Sequence, residues 1–540
     1  MGLRLTIQYS TKNMHEIVSL QFGQRSNYLA THFWNTLESY FTYTDEEESI
    51  VDHDIHFRPG IGIQNTETFT PRTVIYDLKG GFGSLRKINA LYDTEEPDLS
   101  ELLWDKPAVI QRLESVEKCA YQQSLEQNEQ PKLLDSDTVK YWSDYSRVYF
   151  HPKSVIKLNE YEIGSTSWPF ESWDEGEALF KSVDKEHDLV ERDLRPFIEE
   201  ADHMQAFQVF SSTDDAWGSF AAQYLQQIKD EYAKTDVLFW GLEEDIVTKS
   251  REKRFTSSNI AKSISVIAPE STLFIPLTLP SKRLPSYITL ERNSDWHVSA
   301  LMSIAVESIT LLSRLRQRNQ YRETLDQLVC LINTNGHQNI AKLRMSIEQP
   351  SSHNNDVPEI AKISEQNRND RSLRNKKSIH NFCSKIGPNA EIFDIDFFPI
   401  EIGEQVNRRP MRKLQVFSQY EIHRQNLCSW NQNISNDRYD ERFQTLGDGL
   451  PVVLKRNLPL GFPLLDSFPR IFNEASTSSS LAVRTSLTVD SSIASRLKAL
   501  KNIVNRAFAV DEREAFSNSL GELAEGYEEG WDSGSDEDED

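Results

Sequence analysis

Apolar and polar positions first alternate over Ile17-Val18-Ser19-Leu20-Gln21-Phe22, which predicts a strand. Gly23-Gln24-Arg25-Ser26-Asn27 interrupts the run, and Tyr28, Thr31, His32 and Trp34 through Leu37 then fall on successive helical turns. Strand, glycine-containing turn and helix open a parallel α/β unit. The same reading predicts a strand over Thr73–Tyr76, ending in Asp77 and the turn Gly80-Gly81-Phe82-Gly83. A third strand, Ala206–Phe210, runs into Ser211–Trp217 and then a helix with Tyr224, Leu225, Ile228 and Tyr232 inward. Asp236–Trp240 is the next strand. This alternation predicts a doubly wound parallel sheet, with a ligand crevice at the C-terminal ends of its strands. The loops just named lie at those ends.

Beyond Glu243 the pattern is less regular. Val266 to Leu279 reads as strand-rich, and Trp296–Leu315 as a buried apolar helix despite Glu307. The segment from Ser346 to Lys377 is polar, with few large apolar residues, and is expected to be a disordered insertion. Strand-like runs resume at Ala390–Ile402 and Lys413–Phe417, and Ser476–Ser480 reads as a linker. Asp490 is expected to cap a helix whose Ile493, Leu497, Leu500 and Val504 form one stripe. The organisation expected is an extension (1–13), a first α/β domain (14–242) and a second (243–475) holding the insertion near 346–377. A linker with a C-terminal helix (476–521) and an acidic disordered tail (522–540) follow.

Composition narrows the function classes. Apolar residues (38%) and aromatics (10%) suffice for substantial cores. The net charge is −24, of which the tail from Glu522 contributes −10, leaving −14 for the body. That balance argues against direct nucleic-acid binding, which needs a basic surface. Four cysteines without CxxC spacing (Cys119, Cys330, Cys383, Cys428) read as buried free thiols. No apolar run reaches the ~18–20 residues of a membrane span. Met1 to Thr6 formally fits a myristoylation pattern, and the first thirteen residues are basic like a transit peptide. A start of the fold at Met14 is the plainer reading.

Other candidate chemistry is sparse. His53, Asp54 and His56 lie on opposite faces if extended, which favours surface residues over a metal site. Gly80 to Gly83 lacks a dinucleotide fingerprint and reads as a turn. No catalytic triad assembles from local signatures. Arg496, Lys498, Lys501 and Arg506 suit either an anionic lipid surface or, as expected here, a helix docked on the body. Ser533 and Ser535 stand in a casein-kinase-like acidic context within a tail able to recruit basic partners.

Three collinear segments resemble tubulin. Met14 through Asn27 is similar to the tubulin opening, whose loop contacts the nucleotide. Pro71 through Leu78 is similar to the next strand, with Asp77 where tubulin has an acid near magnesium. Met204 through Ser212 resembles the strand that enters tubulin's glycine-rich phosphate loop. A closer resemblance is to the Misato/Dml family, carried by Tyr141-Trp142-Ser143-Asp144-Tyr145, Val148-Tyr149-Phe150-His151-Pro152, Phe57-Arg58-Pro59-Gly60, Asp77-Leu78-Lys79-Gly80 and Ser467-Phe468-Pro469.

The resemblance implies a tubulin/FtsZ-like fold: a nucleotide-binding-type domain, a core helix, a second α/β domain and C-terminal helices. It implies a vestigial nucleotide site at Gly23, Gln24, Asn27, Asp77, Gly218 and Ser219. In place of the glycine-rich phosphate loop stand Asp214-Asp215-Ala216-Trp217-Gly218-Ser219-Phe220. Two carboxylates at ~5 Å from a phosphate cost about 3 kcal/mol per charge pair at an effective dielectric of ~20. Arg25 and Ser26 replace tubulin's Cys and Gly, and Lys79 replaces its Glu. No match to the subunit-completing GxxNxD motif is present. The expectation is a non-catalytic protein without a cofactor. GTP is the cofactor of the alternative, in which Arg25 or Lys79 supplies positive charge or a metal bridges the aspartates. The family is associated with mitochondrial distribution and mitochondrial DNA inheritance. Peripheral mitochondrial association with a cytosolic pool is therefore expected, with cytoskeletal or mitochondrial-surface protein partners. A polymerising GTPase and a chaperone-like adaptor for cytoskeletal subunits are the alternatives.

Overall fold

The computed structural model describes residues 16–42, 49–62, 67–89, 91–92, 116–244, 250–280, 284–316, 322–348, 393–399, 414–425, 452–473 and 479–528. The first strand, β1 (Glu16–Phe22), leads into α1 (Gln24–Glu38). A hairpin, β2 (Phe57–Ile61) with β3 (Glu67–Pro71), precedes β4 (Thr73–Lys79). The short α2 (Ala120–Glu126), β5 (Val155–Glu162), α3 (Trp173–His187) and α4 (Arg195–Ile198) come next. Then follow β6 (Met204–Ser212), α5 (Ala216–Glu231), β7 (Asp236–Glu243), α6 (Ser250–Glu270) and β8 (Leu273–Thr278).

Six of these strands form a sheet in the order β5-β4-β1-β6-β7-β8, with every neighbouring pair parallel. The order reverses direction at β1 and β6, the topological switch point of a doubly wound sheet. Both faces are covered, which is why β1, β6, β7 and β8 are almost entirely buried. Phe22 turns to Phe220 and Tyr224 of α5 on one face. Phe210 turns to Phe33 of α1 on the other.

A central helix, α7 (Asp295–Thr310), packs against α1 and against the second sheet. With the turn after it, it is long and apolar enough to cross a membrane, but 89% of its apolar window lies buried inside the protein. Glu307, the charge that interrupts it, is fully buried between the guanidinium groups of Arg314 and Arg424. Their charges outweigh the burial cost and hold its carboxyl below the usual range.

After α8 (Leu325–Ile332), the second sheet comprises β9 (Lys342–Glu348), β10 (Ile395–Asp396), β11 (Val416–Arg424), β12 (Val452–Leu458) and β14 (Ser480–Asp490). Its order is β10-β9-β14-β11-β12, with β13 (Phe462–Pro463) paired to the start of β14. Only β11 and β12 run parallel in it. Two helices, α9 (Ser492–Ala507) and α10 (Val510–Glu525), pack on each other and on α6.

Several expectations require correction. Val266 is helical: α6 runs to Glu270, burying Ile260, Ile264 and Ile267 at helical spacing, and only Leu273–Thr278 is strand. Ser346–Glu348 belong to β9, so the polar stretch opens inside a strand, and the rest of the expected insertion lies outside the described residues. Within their described parts, the run Ala390–Ile402 contributes only the two residues of β10, and of Lys413–Phe417 only Val416 and Phe417 are strand, as the start of the longer β11. Ser480 is not linker but the first residue of β14, whose place between β9 and β11 makes it central to the second sheet. The cap of α9 is Ser491, although the Asp490 carboxylate still accepts the Ser492 amide at 3.0 Å. The stripe Ile493, Leu497, Leu500 and Val504 is buried as expected.

The tail expected from Glu522 is helical to Glu525, and Tyr527 is fully buried with its hydroxyl accepting the Ile340 amide at 2.6 Å. Ser533 and Ser535 lie outside the described residues. Cys119 is half-buried and Cys330 exposed, both free, against the expectation of buried thiols; Cys383 and Cys428 lie outside the described residues. His53 begins a single helical turn instead of a strand, with its ring stacked on Phe41 at 3.6 Å. His56 is buried against Phe33 and Trp34 and is not a surface residue. No group of three or more metal-ligating side chains gathers among the described residues.

Candidate functional site

The crevice at the C-terminal ends of β1, β4, β6 and β7 is built from three loops. Gly23 leaves β1 with φ +84° and donates its N–H to the Tyr76 carbonyl at 3.0 Å. A side chain there would be strained and would run into the indole of Trp217. The next turn presents Gln24, Arg25 and Asn27 toward the ends of β4 and β6.

Asp77 is the centre of one half of the crevice. It is fully buried, and its carboxylate accepts hydrogen bonds from Asn27 Nδ2 (2.8 Å), Trp142 Nε1 (3.1 Å), Gln24 Nε2 (3.3 Å) and the Leu78 amide (2.8 Å). Burial pushes its pKa up to about 7, although these four donors each pull it back. Gly81 passes so close that a Cβ would collide with the carboxylate, and Gln24 Nε2 also donates to the Gly81 carbonyl at 3.0 Å. An acid whose carboxylate is already caged by four donors is poorly suited to a magnesium ion.

The other half is an ion-paired plug. Arg25 spans the gap between the β1 and β6 loops and grips both oxygens of Asp214, one at 2.9 Å, and Asp215 at 3.0 Å. Asp214 is nearly inaccessible and also accepts the Glu244 amide at 2.8 Å. Asp215 caps α5, accepting the Trp217 amide at 2.9 Å. The helix N-terminus that would meet a phosphate therefore meets its own carboxylate. Trp217 is buried over Gly23, with its ring edge-on to Phe170 and Phe220.

Of the six residues expected to form a vestigial nucleotide site, Gly23, Gln24, Asn27 and Asp77 come together at this crevice. Gly218 and Ser219 do not. A Cβ on Gly218 would meet Ser263 of α6 and the Thr213 backbone, and Ser219 turns its hydroxyl to the Trp173 carbonyl of α3 at 2.5 Å. Both serve helix packing. Lys79 is exposed and paired with Glu162 at 3.2 Å, away from the plug. A nucleoside triphosphate with magnesium does not fit this set. The arginine is already neutralised by carboxylates, the helix terminus is capped, and an indole lies on the glycine turn.

Sequence reasoning did not foresee Trp142 as a donor to Asp77, 65 positions away, or the closure of Arg25 on Asp214. The second was signalled by opposite charges in loops that end neighbouring strands. On α9, Arg496 is buried and holds Glu243 at the end of β7 through 2.6 and 2.7 Å hydrogen bonds. Lys498 pairs with Glu528. The docked-helix alternative is the one realised.

Residues 15–127 match the Misato Segment II tubulin-like domain, and residues 130–315 match the Tubulin domain. The chain is 45% identical to protein dml-1 of Neurospora crassa and 41% identical to protein DML1 of Gibberella zeae. Each alignment covers 98% of this chain and the whole of the relative. A DML1 protein of Yarrowia lipolytica is 27% identical over the same shares. With two tubulin-type segments laid end to end over a six-stranded parallel sheet, and relatives of this similarity along its length, the chain belongs to the Misato/Dml family of tubulin-like proteins.

Proposed function

We propose that this protein is a non-catalytic, tubulin-like scaffold that acts in the partitioning of mitochondria and the inheritance of mitochondrial DNA. The observation that carries the non-catalytic part is the plug: Arg25 closed on Asp214 and Asp215, with Trp217 seated on Gly23. Ion pair and indole stabilise the loops that a nucleotide would otherwise order, so the fold needs no ligand to hold its strand ends together. The mitochondrial part is supported by family membership, because Misato/Dml proteins are associated with mitochondrial distribution. Peripheral attachment to the organelle and protein partners at its surface go with this reading.

The test replaces the chain in living cells. Loss of the protein is expected to leave mitochondria unevenly distributed and mitochondrial DNA poorly retained at division. Asn27→Asp, which sets a second carboxylate against Asp77 and disfavours any nucleotide further, is expected to rescue distribution wherever the protein accumulates normally. Failure of a stably accumulated Asn27→Asp chain to rescue overturns the scaffold reading. Normal mitochondrial distribution without the chain overturns the mitochondrial part.

A further inference from the structure

Beneath α1, at the opposite end of the sheet from the plug, four buried side chains present nitrogen atoms without partners. They are Arg72 (Nε and Nη1), Arg314 (Nε), His56 (both ring nitrogens) and Trp34 (Nε1). None is more than 4% exposed. The chain holds them together: the Arg72 amide donates to the His56 carbonyl at 2.8 Å, and the Asp52 amide to the Arg314 carbonyl at 2.7 Å. The His56 ring lies 5.9 Å from Trp34 and 5.6 Å from Phe33, and the Arg314 guanidinium sits 5.3 Å over Phe33. Buried donors left unpaired are costly, and native interiors satisfy nearly all of them.

The charge is unbalanced in the same place. Arg314 shares its one buried carboxylate, Glu307, with Arg424, so two guanidinium groups face a single negative charge. No ion-pair partner within contact distance is present for Arg72 among the described residues. Glu16, Glu200 and Asp54 act on it at longer range, and Glu16 is occupied by the Asp202 and His203 amides. Burial and the two arginines hold His56 neutral, so it adds a donor but no charge. A water molecule would satisfy donors without touching the charge; an anion does both.

We propose that Arg72, Arg314, His56 and Trp34 form an internal binding site for a small inorganic anion of chloride type. It would tie the β2–β3 hairpin, α1 and the turn after α7 together. The site is independent of the crevice and of the proposed mitochondrial role.

Thermal unfolding of the full-length protein, titrated with chloride against gluconate at constant ionic strength, tests this. The midpoint is expected to rise by roughly 1–3 °C and, above the dissociation constant, to climb with the logarithm of chloride concentration, as for a ligand that binds only the folded state. Trp34→Phe, which removes one donor and keeps the ring, is expected to require several-fold more chloride for the same rise. Arg72→Met is expected to abolish it if the variant folds. Crystals soaked in bromide are expected to give an anomalous peak within hydrogen-bond distance of Arg72 and Arg314. A flat midpoint, a rise unchanged in Trp34→Phe, or bromide peaks only at the surface overturns the site.

Discussion

Arg25→Ala isolates the plug, because the residue joins two loops 189 positions apart in sequence. The substitution removes both hydrogen bonds to Asp214 and the one to Asp215. Asp214 keeps the Glu244 amide and Asp215 the Trp217 amide, but neither retains a cation in contact. Breaking a fully buried pair costs ~3–5 kcal/mol, and an exposed pair contributes ~0–1 kcal/mol. Asp214 is 3% exposed, whereas Arg25 and Asp215 are about one quarter exposed. The expected loss therefore falls between these limits, at about 2–3 kcal/mol near pH 8.

The pH dependence has a definite sign. Burial already holds the Asp215 carboxyl above its ordinary range, with Arg25 pulling it back and Asp214 pushing it up. Without Arg25 the group moves higher, so the variant can protonate it at mildly acidic pH and avoid two adjacent charges. The loss is fully present at pH 8 and shrinks toward pH 5.5. Urea unfolding followed by far-ultraviolet circular dichroism at both pH values reads this directly. The triple variant Arg25→Ala, Asp214→Ser, Asp215→Asn removes all three charges while keeping a helix cap, and is expected to recover most of the loss. A loss under about 0.5 kcal/mol at pH 8, or one that grows toward pH 5.5, would show that Arg25 does not hold the two loops together.

Asp77 gives a second pH signature. Its folded pKa of about 7 lies above its unfolded value of 3.8, so its contribution to stability falls as pH rises from about 4 to about 7 and is flat beyond. Asp77→Asn is expected to remove that slope from unfolding curves taken between pH 4.5 and pH 8. Glu307→Gln leaves Arg314 and Arg424 buried without a counter-charge and is expected to cost at least ~3 kcal/mol, read as lost soluble yield or a lower urea midpoint. Arg496→Ala is expected to loosen α9 from β7. Limited proteolysis should then cut within the C-terminal helices before the first sheet, and an unchanged cleavage order would show the Glu243 pair to be incidental.

Much of the first sheet was legible because β1, β4, β6 and β7 are short, apolar and each followed by a glycine or polar turn. The edge strand β5, with only two of its eight residues buried, offers no apolar run to read. β1, β4, β6 and β7 all fall where the pattern places them. The second sheet was not, since long polar stretches separate its strands and β14 alternates buried and half-buried residues at its start. A serine- and threonine-rich run beside it reads as linker until β9 and β11 are seen to flank it. In α6, β-branched residues at helical spacing mimic a strand, and burial against α5 and the C-terminal helices decides otherwise. In the crevice, the loss of glycines was visible in the sequence, whereas the pairing that replaces them depends on which loops the topology brings together. Gly218 and Ser219 show the reverse case, in which matching residues are retained for packing between helices.

The crevice is closed by its own side chains. Equilibrium titration of the purified full-length protein with GTP and magnesium tests this closure most directly. No saturable binding is expected up to about 1 mM nucleotide, a free energy weaker than ~4 kcal/mol. Saturable micromolar binding that GDP reverses would contradict it.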